Sequence, residues 1–181
     1  MEKIIQLLSY ITTDMMEPIG YIPWGIISGC IYLFVLKLYR KIHGHSSSTS
    51  TVRADVLHFL LIMYGVILIK LAFFSREPGS RTDVSIRLME TWGTTMRAHS
   101  FFVENILMFI PFGILVPVTY RKMRHFIPCV AAAFLCSILL EGLQLITGRG
   151  YCQLDDIITN TIGGTVGYII YASLRFINDG I

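Results

Sequence analysis

The sequence predicts an all-α membrane protein, a bundle of about five transmembrane helices preceded by an N-terminal amphipathic interfacial helix. Two observations carry this expectation. Hydrophobic residues make up 54% of the 181 positions and charged ones only 15%, and the mean hydropathy of +0.62 lies well above that of a water-soluble domain. Apolar runs near the ~20 residues that a helix needs to cross hydrocarbon also recur along the chain, which calls for a helical bundle and not a soluble core. A net charge of +3 is too small to point to nucleic acid, and the four cysteines show no CxxC or metal-ligand spacing.

In MEKIIQLLSYITTDMMEP, residues 1–18, Ile4, Ile5, Leu7, Leu8, Ile11, Met15 and Met16 recur at spacings near three and four and end at Pro18, as expected of a helix lying on the membrane surface. A signal peptide fits poorly, because the n-region is nearly neutral and no small-residue cleavage site follows a compact apolar core. Five spans follow, at 19–36, 56–74, 104–120, 126–146 and 157–174. HGHSSSTSTVR, residues 43–53, reads as a flexible linker between the first two. The third is interrupted by Pro111 and Pro117, so a kinked helix is expected there. The organisation is then an interfacial segment at 1–18, a first span with a Ser-rich cytoplasmic linker at 19–55, and a transmembrane domain at 56–177.

The Lys and Arg balance of the short loops sets the orientation. With the N-terminus outside, eight basic residues fall on the inner side and six on the outer, leaving Lys70 within a span. The inner charges abut span ends at KLYRK and YRKMRH, whereas four of the outer ones are spread through one loop at 75–103. An outside N-terminus and a cytoplasmic C-terminus follow.

In this orientation the polar residues of several spans meet at the outer end. Glu141 and Gln144 sit three apart on one helix, and Asp156 and Asn160 four apart on the next, so each pair shares a face. Glu104 and Asn105 open the third span from the same side, and Arg149 lies in the turn TGRGYCQL. Ionisable groups at membrane depth are costly, face a bundle interior or a wet cavity, and so mark functional sites. Each of them taken singly could equally be helix-to-helix glue, because such hydrogen bonds average only about 0.6 kcal/mol. Arg76, directly after the second span, either joins the site or contacts lipid phosphates. Gly163 and Gly167 form a small-xxx-small pair that reads as packing, Lys70 as a snorkelling side chain, and Tyr21, Trp24 and Trp92 as interface anchors. His58 and His99 have no partner at metal-ligand spacing.

ENILMFIPFGIL at 104–115, E-x-x-Q at Glu141 and Gln144, the GR of Gly148 and Arg149, and DDIITNTIGGTVGY at 155–168 resemble the VanZ-like membrane proteins. FFSREPGSR at 73–81 also resembles the segment that many members carry after the preceding helix, and the resemblance covers about residues 57–175. It implies a bacterial cytoplasmic-membrane protein of a family whose founding member is associated with resistance to the glycopeptide teicoplanin. Its motif positions fall here on Arg76, Glu104, Asn105, Pro111, Gly113, Glu141, Gln144, Arg149, Asp156, Asn160, Gly163 and Gly167. Two departures stand out. Gln153 replaces an acidic residue that relatives often carry just before the Asp pair, and Asp55 replaces a lysine before His58 and Phe59, so no role carries over to His58.

Two function classes stay open. In the first, a non-enzymatic envelope protein binds a lipid-linked wall precursor, a lipoglycopeptide or a phospholipid head in an outer-leaflet pocket, with Arg76 and Arg149 on phosphate or carboxylate. In the second, a membrane enzyme uses Glu141 as general acid or base, with Asp155 and Asp156 polarising water or holding a divalent cation. No GxSxG elbow or HExxH site is present, and no cofactor motif, which favours binding. The orientation is checked by thiol labelling: Cys152 should react with a membrane-impermeant reagent in intact cells and a cysteine placed at Ser47 should not, the reverse pattern inverting the topology.

Overall fold

Thr95, Gly148 and the paired segments 84–85 and 152–153 gather at one end of a five-helix bundle, here termed the site end. The computed structural model describes residues 1–43, 49–74, 84–85, 92–149 and 152–179. Its helices are α1 (Glu2–Ile42), α2 (Thr49–Ile69, continued by a π-helical turn at Lys70–Phe74), α3 (Met96–Thr119), α4 (Phe126–Thr147) and α5 (Leu154–Asp179). All five are long and apolar enough to cross a membrane. Two-residue strands, β1 (Val84–Ser85) and β2 (Cys152–Gln153), pair in parallel and fasten the α2–α3 connection to the start of α5.

The helix ends differ from the expected spans in instructive ways. Residues 1–18 are not a separate helix: α1 runs through Pro18 and Pro23 without a break. At 1.5 Å per residue it is roughly 60 Å long, about twice the hydrocarbon thickness, so its first turns extend beyond the span. The second half of the Ser-rich linker is helical, since α2 begins at Thr49, and 44–48 lie outside the described residues. α3 begins at Met96, well before Glu104, because Thr95 accepts the Ala98 amide at 3.2 Å and caps it. It continues unbroken through Pro111 and Pro117. Pro111 has no amide to offer the carbonyl one turn earlier, and beside that gap the Tyr64 hydroxyl of α2 donates to the Met108 carbonyl at 2.9 Å.

The closest helix contact joins α3 to α5. A Cβ on Gly163 would overlap the Ile106 carbonyl, one on Gly167 the Ile110 carbonyl, and one on Gly113 the Gly164 carbonyl. Glycine alone lets the backbones approach so nearly, and the Cα hydrogens then face carbonyl oxygens. Gly164, on the adjoining face of α5, meets Ala133 of α4. Around these contacts Phe109, Ala133, Leu140, Leu68 and Ala72 form the buried core. At the opposite end, the Tyr168 hydroxyl donates to the Arg124 carbonyl at 2.9 Å.

α1 packs mainly on α2, with Gly25 against Met63 and Gly29 against Phe59. Arg40 closes that pair with a two-pronged ion pair to Asp55, at 2.6 and 2.7 Å, which gives Asp55 a structural use. His58 hydrogen-bonds the Ala54 carbonyl through Nδ1 at 2.7 Å and lies beside the Tyr32 and Tyr120 rings. Lys70 places its ammonium over the Trp24 and Tyr21 rings, 4.4 and 5.7 Å from their centroids.

Gly163→Leu and Gly167→Leu should each destabilise the bundle in detergent by about 1–3 kcal/mol, the scale of overpacking a tight contact. Gly142→Leu should be nearly neutral, because a Cβ there meets nothing within 4 Å. Equal losses at all three positions, measured by unfolding, would show that the α3–α5 contact is not special.

Candidate functional site

At the site end, Glu141, Gln144, Asp155, Asp156 and Asn160 are buried to between 3% and 6% exposure. Register explains why. α4 and α5 run antiparallel, with Ala133 against Gly164 and, one turn on, the Asn160 amide donating to the Ser137 hydroxyl at 2.9 Å. The next step of four sets Glu141 level with Asp156. α3 and α5 run in the same direction, with Ile106 on Gly163 and Ile110 on Gly167, so Glu104 falls near the level of Asn160. Glu104 is also buried, whereas Asn105 is half-buried and Arg76 lies outside the described residues.

Several of these side chains have definite structural partners. α4 ends at Gly148, whose left-handed backbone (φ 61°, ψ 27°) lets the Arg149 amide return to the Gln144 carbonyl at 2.9 Å. The Glu141 carboxylate accepts the Gln153 backbone amide at 3.1 Å, immediately before α5, where unpaired amides and the helix dipole favour a negative group. Asp155 and Asp156 occupy the first turn of α5, and the Thr159 hydroxyl returns to their carbonyls at 2.9 and 3.2 Å. Gln144 donates through Nε2 to the Ala72 carbonyl at 3.0 Å, and Arg149 through Nη1 to the Phe73 carbonyl at 2.7 Å. Both acceptors lie in the π-helical turn, where the wider winding redirects backbone carbonyls. α4 is thereby clasped to the end of α2.

Beyond these bonds, three buried acceptor oxygens have no hydrogen-bond partner among the described residues: Glu104 Oε1, Gln144 Oε1 and Asn160 Oδ1. Buried acceptors left in this way are costly and few in folded proteins. Among the described residues, no three His, Cys, Asp or Glu side chains come together in a group that could hold a metal ion.

A polar annex that the sequence reading did not assemble adjoins Glu104. Arg97 pairs with Asp14 of α1 at 2.7 Å, its guanidinium lying over the rings of Phe101 and Tyr10. Ser100 and Asp14 both neighbour the Glu104 carboxyl. Ser100 and Ser137 could have been found by spacing, each lying four positions before a buried glutamate on the same helix face. Asp14 could not, because it lies in the segment read as an independent surface helix. Trp92 stacks on His99 with centroids 4.2 Å apart and meets Phe102 edge-on. A cavity of about 410 Å³ opens beside the clasp, but its lining is apolar and includes none of the predicted ligand-binding residues.

Five apolar helices holding carboxylates and amides in their interior at one end fit a multi-pass membrane protein with a polar cluster inside the bundle. The chain belongs to the VanZ/LLP1 family, whose model matches residues 26–176. The match begins earlier than the sequence motifs indicated and takes in much of α1, which the motifs had left outside. The chain is similar to Protein VanZ of Enterococcus faecium, 31% identical over 115 residues that cover 62% of this chain and 71% of that relative. No solved structure matches significantly.

A double-mutant cycle of Ser137→Ala and Asn160→Ala should give a coupling free energy of about 0.6 kcal/mol, the mean for interhelical hydrogen bonds in membranes. Unfolding in detergent measures it, and zero coupling would separate the two residues.

Proposed function

We propose that this chain is an envelope protein of the bacterial cytoplasmic membrane that binds an amphiphile in an outer-leaflet polar pocket, without catalysing its conversion. The ligand class is a lipid-linked wall precursor or a lipoglycopeptide, and the consequence is resistance of the teicoplanin type or envelope maintenance. The observation that carries this reading is the trio of buried acceptors, with Glu104 Oε1 and Asn160 Oδ1 near one level and Gln144 Oε1 roughly two turns closer to the site end. Acceptors need donors, and a head rich in sugar hydroxyls and peptide amides supplies them. Asn105, Glu141 and Asp156 complete the wall, and the guanidinium groups of Arg149 and, by its sequence position, Arg76 are assigned to phosphate or carboxylate. Family membership and similarity to Protein VanZ support the resistance-type assignment.

Glu141→Gln keeps an oxygen for the Gln153 amide, and Asp156→Asn keeps the side-chain shape, so both variants should fold with nearly unchanged melting temperatures. In a susceptible host expressing the protein, each should abolish the increase in teicoplanin tolerance that the unmodified chain confers. The reading fails if these changes reduce yield and stability as much as Gly163→Leu does, for the cluster is then structural. It fails equally if tolerance is unaffected in well-folded variants.

A further inference from the structure

We infer that the apolar crevice beside the clasp seats one hydrocarbon chain of a membrane amphiphile, whose polar head lies at the site end. The choice of occupant rests on the proposed ligand class. The crevice has α2 on one side, α4 on the other and Phe112 and Val116 of α3 as its floor, and it encloses about 410 Å³. From Leu61 to Phe73 it follows α2 for roughly 18 Å, an elongated shape lying along the span. Its volume lies in the range of ~300–1,000 Å³ found for small-ligand sites, whereas a helix from a second copy is ~10 Å across and would not enter.

The lining supplies no competing polar chemistry. The Tyr64 hydroxyl is already committed to the Met108 carbonyl, and the Cys136 thiol is the other polar group in the wall. Space comes from Gly65, where a Cβ would meet nothing within 4 Å.

The crevice ends beside the clasp. Leu140 and Leu143 line it and alternate along α4 with Glu141 and Gln144, while Phe73 contributes its ring to the wall and its carbonyl to Arg149. A molecule with a donor-bearing head and an apolar tail matches both regions at once. A free glycan or peptide would leave the lower region to bulk lipid.

The test uses the full chain in nanodiscs that contain a trace of phosphatidylglycerol with a photoreactive diazirine on one acyl chain, the adducts being mapped by mass spectrometry. Adducts should concentrate on Phe112, Val116 and Tyr64, above the level at lipid-facing Phe134 and Ile169. Gly65→Phe should lower the crevice adducts by about tenfold, a change equivalent to roughly 1.4 kcal/mol, because the ring takes the space the chain would occupy. Leu139→Trp fills the same space from α4 and should act alike, while Gly142→Phe should change nothing; melting temperatures confirm folding of each variant. Adducts spread evenly over lipid-facing residues, or unchanged when the crevice is filled, would overturn the inference. The effect of Glu141→Gln on crevice adducts reports on the polar-head reading separately: an unchanged yield counts against that reading and leaves the chain seat standing.

Discussion

Everything at the site end depends on how closely α5 can approach its two neighbours. Gly163 and Gly167 let α3 carbonyls rest against the α5 backbone, and Gly164 does the same for Ala133 of α4. In lipid there is no hydrophobic force to hold helices together, so van der Waals contact at short range and weak Cα–H···O contacts must do so. Once these contacts fix both registers, the heights of Glu104, Glu141, Asp156 and Asn160 are no longer independent. A side chain on any of the three glycines would separate the helices and dissolve the polar alignment with them.

The polar cluster has definite scaffold roles. Glu141 serves the entry to α5, Asn160 pins α4 to α5 through Ser137, and Gln144 and Arg149 clasp the π-helical turn of α2. Each such bond contributes modestly, around 0.6 kcal/mol on average, which does not account for so many costly groups at one end of the bundle. Gln144 and Asn160 each spend an amide N–H on the protein while keeping an acceptor oxygen that no described residue meets. Amides anchored through their donors are held rigidly with their acceptors presented, and the proposed binding of a head rich in hydroxyl or amide protons rests on that preorganisation.

The clasp also links polar and apolar halves of the structure. By drawing the end of α4 to the end of α2 it sets the spacing of the two helices that wall the crevice. The annex of Asp14 and Arg97 brings the N-terminal part of α1 to Glu104, and that part precedes the residues matched by the family model. The family core therefore carries the buried acceptors, and the preceding residues add a charged cover to one of them.

Composition and periodicity determined the helical membrane architecture, because an apolar run long enough to span hydrocarbon has only one way to satisfy its backbone. Spacing alone also paired Glu141 with Gln144 and Asp156 with Asn160, and identified Gly163 and Gly167 as a packing face, since these are properties of a single helix. Helix ends were less legible: Met96–Ser100 reads as polar loop, yet Thr95 caps it into α3, and Pro18 fails to stop α1. What only the tertiary structure decided is which groups meet between helices. The clasp onto Ala72 and Phe73, the Ser137–Asn160 bond, the Asp14–Arg97 pair and the crevice floor all join residues distant in sequence. Their meeting depends on relative rotation and register, which the glycine contacts set to within a fraction of a helical turn and which no local pattern encodes.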